Sequence, residues 1–153
     1  MKATVTVRYP LSTDVGLLLI RLAVGAVGFF HGAQKLFGVF GGKGVSAFAE
    51  NLASMNIPQP LVSAYLAGAA EFLGGLLVAV GLLTRLAALP FAFTMFVAVT
   101  MVHNKAYSLE HNGMEYALTL LLVLVGLALT GPGRLSLDAM YWSGRARRKK
   151  DEA

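Results

Sequence analysis

Apolar residues fall in four long runs separated by short polar stretches. The first, Val15 to Gly38, reads VGLLLIRLAVGAVGFFHGAQKLFG. At ~1.5 Å of rise per residue it predicts a helix ~34 Å long, enough to cross a hydrocarbon core of ~30 Å with some tilt. Within it Arg21, Gly25, Gly28, Gly32 and Lys35 recur at spacings of four and three, so they share one stripe. Small residues at that spacing let a neighbouring backbone approach closely, and the stripe is expected to pack inward. Ser12, Thr13 and Asp14 offer N-cap oxygens ahead of the run.

Val39 to Pro60 forms a connection in which Val45, Phe48, Ala49, Leu52 and Met55 share a helical face opposite Glu50, Asn51 and Ser54. This predicts a short amphipathic helix at the membrane surface. Gly41-Gly42-Lys43-Gly44 has the look of a phosphate loop, but Lys43 is followed by Gly and no strand precedes it, so it is set aside. The second span is expected from Leu61 to Leu83, with Glu71 at its centre and Ala64, Ala67, Gly68, Gly74 and Gly75 on the same side. A third runs from Leu86 to Val102 with Pro90 early in it, and a fourth from Met114 to Thr130. Gly131-Pro132-Gly133 ends the last helix and sets Arg134 to Asp138 apart as a juxtamembrane segment. The expected fold is all-α: an antiparallel four-helix transmembrane bundle with the amphipathic helix in its first outer loop. Residues 1–14 form a short terminal segment, 15–138 the membrane domain and 139–153 a basic tail.

Four spans place both termini on one side. Lys2, Arg8, Arg85, Arg134, Arg145, Arg147, Arg148, Lys149 and Lys150 lie on the side of the termini, against Lys35, Lys43 and Lys105 on the other. The positive-inside rule then makes both termini cytoplasmic. The net charge of +5 is concentrated in the tail RARRKK, which reads as a topology anchor touching anionic lipid, not as a nucleic-acid surface. The amino terminus shows no cleavable signal, since its charged start leads into an overlong span interrupted by Arg21. The chain is 56% hydrophobic and has no cysteine, which excludes thiol redox chemistry, disulfides, iron–sulfur clusters and thioether-linked haem. Electrons, if this protein handles them, must reside on something bound.

Lipid rejects charge: a charged residue at a span's centre costs ~2.5–3.5 kcal/mol on insertion scales, against ~0.3–0.6 gained per strongly apolar residue. Arg21 and Glu71 therefore need partners inside the bundle, and their depths allow them to meet as an ion pair. His31, Gln34, Lys35, His103 and Glu115 fall in the outer half, so a polar path is expected from Arg21 through Glu71 to the outer surface. The bland readings are a bundle-stabilising ion pair for Arg21 and Glu71 and interfacial hydrogen bonding for His31 and His103. A metal site from His31, Glu71, His103 and Glu115 is chemically allowed, but no HxxxH or ExxH spacing supports it. A quinone site asks for less, namely donors for carbonyl oxygens, an acid or base to move protons, and apolar walls open to lipid. Phe29, Phe30, Phe72 and Phe96 are the expected walls.

The stretches RLAVGAVGFFHGAQKLFG, AEFLGGLLVAVGLLTRLAAL and GMEYALTLLLVLVGLALTGPGRLSLD, in this order, resemble the DoxX family over roughly Val15 to Asp138. The resemblance implies a small four-helix inner-membrane protein, the family being named after a subunit of a thiosulfate:quinone oxidoreductase. The family's matching positions here are Arg21, His31, Gln34, Lys35, Glu71, Arg85, Glu115 and Asp138. The reading is a redox-associated membrane protein that binds a quinone or serves a partner oxidoreductase subunit, with Glu71, His31 and Arg21 in the chemistry and Gln34, Lys35, His103 and Glu115 at the ligand. Homo-oligomers are compatible with it, and no metal and no nucleic acid are expected. Two other classes stay open: a scaffold, chaperone or receptor for a partner protein, and a transporter of protons or small molecules built on the midplane carboxylate.

Overall fold

A helix of 27 residues, α1 (Leu11–Phe37), opens the computed structural model, which describes residues 10–141. Lys2, Arg8, the extended piece expected before Pro10 and the basic run Arg145 to Lys150 lie outside the described residues. Helix α1 starts four residues earlier than expected because Pro10, with φ −63°, presets the entry into the helix. Ser12, Thr13 and Asp14 are thus helical and cap nothing. At its other end Gly38 takes a left-handed conformation, φ 69°, and donates to the Gln34 carbonyl at 3.2 Å, a glycine cap that stops the helix.

The elements that follow are α2 (Gly44–Ser54), α3 (Pro60–Val80), α4 (Thr84–Val97) and α5 (Glu115–Thr130). A π-helical turn, Ala98–Val102, continues α4, and a short 3-10 turn, Leu109–His111, precedes α5. The described residues contain no strand. Three helical stretches, Leu11–Phe37, Pro60–Val80 and Thr84–Val102, are long and apolar enough to cross a membrane. Helix α5 is equally apolar but has 16 residues, ~24 Å, so it falls short of a full span by itself.

The expected stripe on α1 is the main seam of the bundle. Arg21, Gly25, Gly28 and Gly32 are buried; the three glycines lie against Gly75, Glu71 and Phe72 of α3, and Arg21 lies against Gly81 just past its end. A methyl group on Gly25 would lie 2.7 Å from the Gly75 carbonyl oxygen, and one on Gly28 would lie 2.8 Å from that of Glu71. Rising numbers on α1 meet falling numbers on α3, so the two helices run antiparallel with their backbones nearly touching. Their bare surfaces are what permits it.

Around this seam α3 packs on α4 and α4 on α5, while α5 only lightly touches α1. The interior holds Val24, Val78, Phe91, Leu124 and Leu127 among small alanines. Large apolar side chains point outward instead, among them Leu66 at 67% and Leu129 at 72% exposure. Small inside and large outside is the arrangement lipid asks for, since oil solvates the outer leucines as well as a core would. Helix α2 seats Ala49 and Leu52 on Ala64 of α3, with Val45 and Phe48 partly covered, as its pattern requires; Met55 stays exposed.

Candidate functional site

Both ends of the bundle carry a polar layer, and each is built differently. At the end that holds residues 10 and 141, the segment after α5 folds back over the helix termini. Asp14, buried in the first turn of α1, accepts from the backbone N–H of Arg134 at 2.8 Å and from its Nε at 2.5 Å. Arg21 is 1% exposed and donates from Nη2 to the Leu135 carbonyl at 2.5 Å. Asp138 accepts from the amides of Leu83 and Thr84 at 2.9 and 3.3 Å, capping α4 from across the chain. That contact supports Leu83 in the left-handed conformation, φ 49°, which a leucine avoids when left alone.

The expected Arg21–Glu71 ion pair is therefore not formed. The Arg21 guanidinium lies against Gly81, ten residues along α3 from Glu71 and so ~15 Å away along the axis. Val24, Val78 and Leu124 fill the intervening level, and the polar path expected from one side to the other is interrupted by hydrocarbon. The short loop after α5 supplies the guanidinium's partner because its carbonyls reach the depth at which Arg21 leaves α1.

At the opposite end, Glu71 pairs with Lys35, whose Nζ donates to both carboxylate oxygens. The Glu71 side chain is 3% exposed and that of Lys35 29%, so the pair spans from the interior to the edge of the bundle. A cavity of about 180 Å³ opens beside it, lined by His31, Lys35, Glu71, His103 and Tyr116 with Val27, Phe91, Met95 and Leu120 as apolar walls.

Elements place these groups for local reasons. His31 and Lys35 are four apart on α1 and share a face. The wider π turn, closed by the His103 amide donating to the Ala98 carbonyl at 2.9 Å, ends α4 so that His103 reaches the cavity. Tyr116 stands one turn before buried Leu120 on α5, at the edge of the inward face, 42% exposed and lining the cavity with its other side.

Hydrogen bonding selects the tautomer of both imidazoles in their neutral form. Gln34 donates from Nε2 to the Phe40 carbonyl at 2.9 Å, which turns its Oε1 toward His31 Nδ1 at 3.1 Å. Because an amide oxygen only accepts, His31 Nδ1 carries the proton, and by the same argument so does His103 Nδ1 against the Asn112 carbonyl at 2.9 Å. In the neutral ring each Nε2 is left as an acceptor. The His31 and Tyr116 rings meet edge to face, 6.4 Å between centroids.

Of the residues expected at the site, Glu71, His31, Lys35 and His103 converge on one cavity. Gln34 stands behind His31 and holds it. Glu115 does not line the cavity; its carboxylate accepts from the Leu109 amide at 2.6 Å and ties down the loop before α5. Phe29, Phe30, Phe72 and Phe96 are not its walls either. The Phe29 and Phe72 rings pack against one another in a tilted pair, 5.0 Å between centroids, and Phe96 is half exposed on the outer surface. Tyr116 and Phe91 escaped the sequence reading, although Tyr116 leads the series Leu120, Leu124 and Leu127, whose spacing marks the inward face. Among the described residues no group of three or more His, Asp or Glu side chains is placed to hold a metal ion.

Residues 16–104 match the DoxX family, which takes in His31, Lys35, Glu71 and His103 and leaves Tyr116 beyond its end. The protein of Bacillus subtilis (strain 168) named "Putative oxidoreductase CatD" is 34% identical over 134 residues, covering 88% of this chain and 92% of that one. "Uncharacterized membrane protein Rv3486" of Mycobacterium tuberculosis (strain ATCC 25618 / H37Rv) is 36% identical over 135 residues, 80% of this chain and 78% of its own. No solved structure matches the chain. With an all-helical apolar bundle, a family match over more than half its length and a relative aligned nearly end to end, this chain is a membrane protein of the DoxX family.

Proposed function

We propose that the far-end cavity binds the ring of a quinone, and that the protein works as the quinone-binding membrane component of an oxidoreductase, alone, as a homo-oligomer or with a partner redox subunit. The observation that carries this reading is the convergence of Lys35, Glu71, His31, His103 and Tyr116 on a single apolar-walled cavity. Its volume of about 180 Å³ suits a ring and not a whole lipid, so a prenyl tail would remain among the acyl chains. The light packing of α1 against α5 offers the lateral entry such a molecule needs. A bound quinone supplies the capacity to take up electrons and protons and become its quinol.

The chain's own groups suit both forms of that ligand. The Lys35 ammonium and the Tyr116 hydroxyl donate to carbonyl oxygens, and the Nε2 atoms of His31 and His103 accept from hydroxyls. Glu71 holds a carboxylate where a ring oxygen's proton can be received. Gln34 keeps the His31 ring in register through the Phe40 carbonyl. Arg21 has no place in this chemistry. The oxidoreductase name of the Bacillus subtilis relative supports the reading.

We place the protein in the inner membrane with both termini cytoplasmic. The Asp14–Arg134 and Arg21–Leu135 bonds, which draw the start of α1 and the segment after α5 together, support ends on one side, and the bias of lysine and arginine toward that side supports the orientation. The cavity then opens toward the outer leaflet. Purification in mild detergent followed by analysis of the lipid extract, with titration of a short-tailed quinone, tests the function. Retained quinone, and binding weakened by Glu71→Gln in a protein that stays folded, is the expected result. An extract free of quinone together with no binding of added quinone sinks the proposal, and leaves the scaffold and transporter classes.

A further inference from the structure

We propose that Glu71 exchanges protons with water through a groove beneath α2, with Lys35 as the relay and Phe48 as the partition, on a side separate from the ligand's entry. Lys35 lines two spaces at once. One is the central cavity; the other is a groove of about 180 Å³ between α1, the glycine loop and α2, walled by Gln34, Lys43, Ala47, Phe48 and Asn51. Lys43 and Asn51 are exposed, so the groove begins at the aqueous surface. At ~30 Å³ of liquid volume per water, it has room for a short file of them.

Its inner end is the Lys35 ammonium, which sits between the Glu71 carboxylate and the Phe48 ring, 5.2 Å from the ring centroid. An ammonium held this way touches carboxylate on one side and the groove on the other. No other described cation contacts Glu71. The groups facing the pair from each neighbouring element are His31 on α1, His103 after α4, Tyr116 on α5 and Lys43 before α2. The opposite route, toward Arg21, is closed by Val24, Val78 and Leu124.

The transfer balances in two moves. The Lys35 ammonium gives one proton to the Glu71 carboxylate, leaving a neutral amine beside a neutral acid; the amine then takes one proton from hydronium in the groove. Run backward, one proton leaves Glu71 for the outside. The role of Glu71 as proton acceptor for a ligand rests on the quinone reading, whereas the groove and the relay do not.

The test uses the full chain in nanodiscs and exploits its lack of cysteine. Carbodiimide activates the Glu71 carboxyl, the Lys35 amine attacks the acyl carbon, and the oxygen leaves as the urea, so a Lys35–Glu71 amide appears in the peptide map as a loss of water. A cationic water-soluble carbodiimide is compared with the hydrophobic dicyclohexyl reagent, before and after an Ala47→Cys variant is capped with a bulky charged maleimide. The expected result is that the cap reduces the soluble reagent's cross-link to the background of E71Q, that the hydrophobic reagent's cross-link survives, and that Phe48→Ala speeds the soluble reaction. The surviving hydrophobic cross-link also shows that the capped protein is folded. A soluble-reagent cross-link that withstands the cap, an Ala47→Cys thiol that fails to react, or a pair that neither reagent joins overturns the proposal. The expected pattern in a protein that binds no short-tailed quinone removes the quinone reading and leaves the proton groove standing.

Discussion

Among the described residues one cation, Lys35, holds Glu71, and the strength of that dependence is measurable. Breaking an enclosed pair strands a charge, and with the Lys35 side chain 29% exposed the expected loss for Lys35→Met is about 2 kcal/mol. The Lys35→Met/Glu71→Gln double variant should recover most of it, because no unpaired charge is then left at this site; thermal unfolding in detergent reads both, and strictly additive losses would contradict the pairing. Tyr116→Phe removes one hydroxyl and little volume, so it should leave the melting temperature in place and weaken short-tailed quinone binding about fivefold, the value of one hydrogen bond of ~1 kcal/mol. Unchanged affinity would take Tyr116 out of the site. Lys35, His31 and Glu71 were legible in the sequence as polar groups in an apolar context, since lipid leaves them nowhere to go but inward. Which of them pair was not legible, because Arg21 and Lys35 share a stripe with Glu71 within reach of either, and the choice falls to the loop that takes up the Arg21 guanidinium.

Helices in this protein meet through absence of side chain, and their ends are completed by residues far along the chain. A methyl group on Gly28 would press on the Phe91 ring at 2.5 Å and on the Glu71 carbonyl at 2.8 Å, so Gly28→Ala should part α1 from α3 and lower stability by about 1–3 kcal/mol. A melting temperature equal to the wild type would show that the seam is looser than its geometry. Asp138 caps the first turn of α4, and Asp138→Ala should cost about 1 kcal/mol, with faster amide exchange confined to Leu83 and its neighbours. Uniform acceleration across the bundle would argue against a local cap. Element identities followed from apolar run length and from Gly and Pro at the ends, and α2 from its two-sided pattern. The start of α1 and the π turn after α4 were not readable, since the first depends on extended Pro10 setting the chain's entry at Leu11 and the second on one extra residue absorbed within the turn.

At the scale of the molecule, two polar layers are separated by a dry one. The near layer is a knot of backbone and charge around Arg21, Asp14 and Asp138; the far layer is an acid–base pair beside a cavity. Truncating the chain after Thr130 removes the carbonyl and amide partners of Arg21 and Asp14, and the product should fail to give a monodisperse peak in mild detergent while truncation after Tyr141 should not. A folded, monodisperse 1–130 fragment would show that the knot is dispensable. The same knot bears on synthesis. Because α4 receives its capping carboxylate from position 138, the translating ribosome must release that position before the start of α4 is finished, so the α1–α3 hairpin waits in the bilayer, its arginine unsatisfied, for a closing stitch delivered after α5.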